Sequence, residues 1–223
     1  MPGPGAEHKI GGGAGVDRRG SGQPLCQIYR PRAYNWPMTT ILGFQGEGFA
    51  ILGADSQITD GDKRIISPST PKIVKIGKYL LGVQGDCRPG DILMYNWKPP
   101  AYDGSDPVKF MGRKIIPSIL LAFKTNGYDP DKEGNSFGYL VAFAGNIFQI
   151  GDSLDINQTE DGIYGIGSGS AFGIGALKYA LTFERGIQGA TPASSTDAIH
   201  AALTIAADND INTCAPFQVE IQK

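Results

Sequence analysis

Strand-like and helix-like runs come in separate blocks along this chain, and that segregation restricts the fold more than any single motif. From Thr39 onward, β-branched and aromatic stretches bounded by Gly, Asp and Pro predict strands at 39–45, 48–55, 64–67, 72–76 and 79–84. The first two flank the Gly-rich turn Gln45-Gly46-Glu47-Gly48 and read as a β-hairpin. A short helix is expected after Pro89, through Asp91-Ile92-Leu93-Met94-Tyr95. Between Asp106 and Phe123 the apolar residues fall near helical spacing, with a kink expected at Pro117. Strands return at 138–144 and 147–151 around the turn dipeptide Gly145-Asn146, and again near 163–166. Helices are expected from Ser170 to about Arg185 and from about Ser195 to Ala207, the second capped by Ser194, Ser195 or Thr196. Phe217 to Ile221 alternates as a closing strand. This order argues for α+β layers rather than βαβ units. Two sheets stacked face to face between two helical layers would bury the apolar runs.

The first 38 residues differ from the rest. Met1 to Gly22 is rich in Gly and Pro and nearly devoid of apolar residues, so it is expected to be extended or disordered unless a partner holds it. From Gln23 to Pro37, Leu25, Ile28, Tyr29, Tyr34 and Trp36 are possible anchors, while Pro24, Pro31 and Pro37 forbid a continuous helix. The expected division is an extended arm or propeptide over 1–38 and a folded domain over 39–223. A tolerated tail, or initiation at Met38, is the alternative.

Bulk chemistry removes several function classes. A net charge of −2 leaves no electrostatic footprint for nucleic acid or an anionic membrane. Cys26, Cys87 and Cys214 form no C-x-x-C pair, so neither a zinc site nor a disulfide framework is suggested. With only His8 and His200, a His-based metal site or a Ser-His-Asp triad is not expected. No cofactor is expected either: Gly165-Ile166-Gly167-Ser168-Gly169-Ser170 lacks the third Gly of a dinucleotide loop, and no βαβ unit surrounds it. No apolar stretch approaches the ~20 residues needed to span a bilayer. The N-terminus has no signal-peptide apolar segment. A cytoplasmic location is the corresponding expectation.

What remains is Thr39-Thr40 at the head of the first strand. A Thr hydroxyl is a weak nucleophile as an ordinary side chain, but becomes a strong one if its own α-amine is free to act as base. Asp55, at the end of the second strand, reads by itself as a turn residue. Lys72 and Lys75 lie in one strand-like run, Pro71-Lys72-Ile73-Val74-Lys75-Ile76, with Lys75 the better solvated candidate. Ser168 reads as part of a Gly-rich turn into a helix, and Asp210-Ile211-Asn212-Thr213 as a polar loop at a helix end.

In this order, Thr39-Thr40-Ile41, Ala54-Asp55-Ser56-Gln57, Lys72, Gly82-Val83-Gln84-Gly85, Gly167-Ser168-Gly169 and Asp210-Ile211-Asn212-Thr213 resemble a proteasome β-type subunit or its bacterial ring-peptidase relatives. These are N-terminal-nucleophile hydrolases with a four-layer αββα sandwich. The resemblance implies a threonine-type endopeptidase, with Thr39 as nucleophile after residues 1–38 are removed. It also implies Asp55 and a buried Lys72 setting the electrostatics, the Gly85 N–H as oxyanion hole, and Ser168, Asp210 and Thr213 positioning the amine. Ile58, Val83 and Cys87 are the implied side-chain pocket. Peptide or protein substrates, a homo-oligomeric ring and an ATP-dependent unfoldase are the implied partners. A small-amide hydrolase is a weaker enzymatic alternative.

The chain departs from the family pattern at four points. Gln57 stands where eukaryotic subunits have Arg, although bacterial relatives carry Gln. Asp86 replaces a small residue beside the oxyanion turn, and Thr213 replaces Ser. Pro37-Met38, rather than Gly, precedes Thr39. The last favours a second reading: a catalytically silent structural or assembly protein on the same fold, with its arm unprocessed.

Overall fold

The first hairpin is apolar on both faces, so it needs a layer on each side. The computed structural model describes Met1 and residues 39–60, 63–67, 69–133, 136–185 and 189–223. The arm expected over 1–38, with His8 and Cys26, otherwise lies outside the described residues. The chain runs β1 (Thr40–Gly46), β2 (Phe49–Ala54), β3 (Gln57–Asp60), β4 (Lys63–Ile66), β5 (Ile73–Ile76), β6 (Tyr79–Gly85) and α1 (Cys87–Asn96). There follow α2 (Pro107–Phe110), a π-helical turn (Met111–Ile115), α3 (Ile116–Thr125), α4 (Pro130–Glu133), β7 (Phe137–Phe143), β8 (Asn146–Ile150), β9 (Ile156–Asn157) and β10 (Ile163–Gly167). Last come α5 (Ser170–Tyr179), a second π-helical stretch (Ala180–Arg185), α6 (Pro192–Asn209) and β11 (Gln218–Gln222).

One sheet has the order β10-β1-β2-β11 and the other β5-β6-β7-β8-β9, while β3 and β4 form a separate hairpin. The pleat sends alternate side chains to opposite faces. Ile41, Ala50, Leu52 and Ala54 meet Ile73, Leu80, Leu140 and Ala142 of the other sheet. Leu42, Phe44, Phe49 and Ile51 turn outward onto Leu177, Ile199 and Leu203 of α5 and α6. The far face of the second sheet packs Tyr79, Leu81, Tyr139 and Val141 on Leu93, Met111, Ile115, Ile119 and Phe123. The layers are therefore helix, sheet, sheet, helix, and each fully buried aliphatic side chain contributes roughly 1.5–3 kcal/mol to holding them together.

Several local expectations shift. The β7–β8 turn is Ala144-Gly145, both at positive φ (49° and 73°), and Phe143 pairs with Asn146. It lies one residue before the expected dipeptide because Gly145 takes the second turn position. The helix expected over Asp106–Phe123 is interrupted before Pro117 by the π-helical turn, which accommodates the N–H that proline lacks. The cap of α6 is Thr191, whose side chain accepts from the Ser194 N–H in a capping box. It precedes the expected caps because Pro192 fits the first helical position. Among the described residues no helix is long and apolar enough to cross a membrane.

Where α6 crosses β2, Gly53 leaves room for the helix: a Cβ there would overlap Ile199 Cγ2 and lie 3.1 Å from Leu203 Cδ1. Gly53→Ala is expected to destabilise the domain by about 1–3 kcal/mol through overpacking, read as a lower denaturation midpoint at unchanged m-value.

Candidate active site

The site is assembled where β1 begins. Thr39 and Thr40 are adjacent, so the pleat turns them to opposite sides. Thr39 joins Asp55 and Lys72, and Thr40 joins the loop after α6. Asp55 lies just past β2, brought level with the start of β1 by the hairpin register and by its own N–H donating to Thr40 O at 3.1 Å. Lys72 immediately precedes β5 of the facing sheet, where the Val83 N–H donates to Lys72 O at 2.9 Å.

Asp55 is fully buried and surrounded by donors. Its Oδ1 accepts from Lys72 Nζ at 2.6 Å, from the Thr40 N–H at 2.9 Å and from Thr39 Oγ1 at 3.4 Å. Its Oδ2 accepts from the N–H groups of Gln57 at 2.9 Å and Cys214 at 3.3 Å. The Lys72 side chain is only 10% exposed. Burial lowers its proton affinity below that of a free lysine, opposed by the charges of Asp55 and, more weakly, Asp210. Lys75 is exposed.

A second cluster lies on the helical side. Asp210 Oδ2 accepts from Thr213 Oγ1 at 2.6 Å and from Ser168 Oγ at 2.8 Å. Thr213 has one hydroxyl proton and gives it to Asp210, so in the 2.6 Å contact between the Thr40 and Thr213 hydroxyls Thr40 is the donor. Ser168 Oγ also lies 3.5 Å from Thr39 O, which links the two clusters. The Gly-rich segment exists for close approach. At Gly167 (φ +96°) a Cβ would overlap Thr39 O, and at Gly169 it would overlap Thr40 Oγ1.

The structure thus gathers Thr39, Asp55, Lys72, Ser168, Asp210 and Thr213 in contact, directly or through one another. Gly85 ends β6 at φ +96°. N–H groups alternate between the two edges of a strand, so Gly85 projects its N–H from the edge where Val83 bonds Lys72. Val83 is half-buried on the helical face of its sheet, Ile58 is half-buried on β3, and Cys87 is exposed as the first residue of α1. A cleft lies elsewhere, at the far end of β1, lined by Gln45, Phe49, Thr191, Pro192 and Lys223 among others.

Sequence reasoning missed three contributors. The Gln57 and Cys214 backbone donors and the Thr40 hydroxyl come from ordinary-looking positions. The Gln57 side chain ties its Nε2 to Ile211 O at 3.0 Å, fastening β3 to the Asp210 loop, and leaves Oε1 buried without a hydrogen-bond partner.

Over 186 residues the chain is 28% identical to the ATP-dependent protease subunit HslV of Chlorobium luteolum, covering 82% of this chain and 93% of that one. It superposes on BPH of Thiobacillus denitrificans in complex with epoxomicin at a TM-score of 0.64 and 19% identity, covering 83% of this chain and 98% of BPH. Against eukaryotic HslV from Trypanosoma brucei the TM-score is 0.58 at 21% identity, covering 82% and 98%. No protein-family model matches the chain. Its fold is that of the proteasome-like β-type N-terminal-nucleophile hydrolases, as the motifs implied.

Two outcomes follow from the burial of the ion pair. Asp55→Ala strands Lys72 and three backbone N–H groups, and is expected to cost about 3–5 kcal/mol in denaturant unfolding. Lys72 binds its proton less tightly folded than unfolded. Between its folded value and 10.5 the unfolded chain therefore holds more protons, and this contribution to stability rises with pH. The slope of stability against pH over that window is expected to be more positive for the native protein than for Lys72→Met.

Proposed function

We propose that the chain is a threonine-type endopeptidase subunit of a proteasome-like assembly, with Thr39 as its N-terminal nucleophile once residues 1–38 are removed. The observation that carries this reading is the convergence of the Thr39 hydroxyl and the Lys72 ammonium on one oxygen of buried Asp55. Similarity to a subunit of an ATP-dependent protease supports it. In the same reading the subunits form a homo-oligomeric ring in the cytoplasm, receive protein substrates from an ATP-dependent unfoldase, and bind the substrate side chain near Ile58, Val83 and Cys87.

Cutting the Met38–Thr39 bond releases the α-amine. That amine takes the Thr39 hydroxyl proton, directly or through water, while the Lys72 charge lowers the cost of the alkoxide. Ser168, Asp210 and Thr213 orient the amine. Oγ1 attacks the substrate carbonyl carbon, and the resulting oxyanion is held by the Gly85 N–H. The C–N bond breaks as the departing amine takes the proton, leaving an ester on Thr39. Water then hydrolyses the ester and restores the hydroxyl.

Pro37-Met38 before Thr39 supports the rival reading of a silent assembly protein: an acylated Thr39 has no base. Intact mass of the purified protein separates the two. A species beginning at Thr39, labelled by epoxomicin and unlabelled in Thr39→Ala, is the expected result. A stable full-length mass with no labelling refutes the peptidase. Thr39→Ala is expected to abolish peptide cleavage while assembly, read by size-exclusion chromatography, persists.

A further inference from the structure

We propose that Asp86 is a positioning residue whose carboxylate clamps the oxyanion turn at Gly85. The inference rests on the peptidase reading for its catalytic consequence, but not for the clamp itself. An Asp at a helix N-cap ordinarily accepts from the first-turn N–H groups. Asp86 occupies the N-cap of α1 in extended conformation and makes no such bond. Its Oδ2 instead accepts from the Ser136 N–H at 2.9 Å, while its own N–H donates to Ser136 O at 2.9 Å.

The strand register explains the substitution. Gln84 faces Gly138 and Gly85 faces Phe137, so Asp86 and Ser136 are the next pair of the β6–β7 ladder. In a regular ladder the Ser136 N–H would bond the Asp86 carbonyl. Helix α1 starts here and draws that carbonyl into its first turn. The carboxylate takes its place and carries the ladder one pair beyond the strand.

Gly85 is thus held from both sides at φ +96°, with no space for a side chain: a Cβ would overlap Ser136 O and lie 2.7 Å from Phe137 Cα. The clamp also settles the direction of a troublesome charge. The Asp86 carboxylate faces the β7 edge, whereas the Gly85 N–H projects from the opposite, Lys72 edge. A negative group next in sequence to an oxyanion site is turned away from it and made to fix its geometry.

The test compares native protein, Asp86→Asn, Asp86→Ala and Asp86→Ser by amide hydrogen exchange over 82–88 and 136–140, and by peptide-cleavage kinetics. Asn keeps the acceptor oxygen. Ser caps α1 but falls short of Ser136, so it keeps the helix and loses the clamp should Ala fail to fold. Ala and Ser are expected to speed exchange in both segments and to lower kcat about tenfold at unchanged KM, less than outright loss of an oxyanion donor. Asn is expected to restore both readouts. Native exchange in Ala and Ser overturns the clamp. An Asn variant as impaired as Ala overturns the acceptor role, and a rise in KM alone overturns the catalytic consequence. If the native protein cleaves no peptide, the peptidase reading and the catalytic consequence fail together, while exchange still decides the clamp.

Discussion

A buried carboxylate is tolerated only when its charge is answered, and the site depends on how Asp55 meets that condition. Removal from water costs several kcal/mol per ion before partners repay it. Asp55 is repaid by an ammonium, a hydroxyl and three backbone N–H groups. These donors come from the start of β1, the start of β3, the lead-in to β5 and the loop after α6. One side chain thereby fastens parts of both sheets and a helical connection, and fixes where Lys72 and Thr39 stand. The same bonds that stabilise the fold set the electrostatics of the hydroxyl.

The layers make this arrangement accessible. Two sheets packed through Ile41, Leu52, Leu80 and Leu140 leave their ends as the place where backbone groups and polar side chains meet. The hairpin of β1 and β2 sets Thr39 and Asp55 at one such end, and Lys72 enters from the facing sheet. Helix α6 ends at the same place, delivering Asp210 as its last capping residue. Few long-range placements are needed, because each polar residue sits at the terminus of an element whose apolar body is fixed elsewhere.

The α+β layering and the principal strands were legible because each element announces itself by apolar spacing and by the breakers that bound it. The contacts among Thr39, Asp55, Lys72, Ser168, Asp210 and Thr213 were legible only through their combined order, since each alone reads as a turn, cap or surface residue. What escaped was whatever depends on backbone rather than side-chain identity. The N–H donors of Gln57 and Cys214 carry no sequence signal. The roles of Thr40 and Asp86 arise from partners far away in the chain, Thr213 and Ser136. Local shifts had local causes, such as Pro192 favouring Thr191 over later caps and Pro117 displacing a helical turn upstream.

Thr39 and Thr40 are chemically identical neighbours, yet the pleat gives them unlike surroundings. Thr39 meets a carboxylate shared with an ammonium, whereas the Thr40 hydroxyl is spent on Thr213. A cut one bond too late would expose an amine on Thr40 and yield a chain differing by a single residue. That chain would still set its new amine against Asp55, which accepts from the Thr40 nitrogen, but its hydroxyl would face the opposite side of the strand, engaged by Thr213. On the proposed peptidase reading, a frame error of one residue would therefore produce a spectator, not a weaker enzyme.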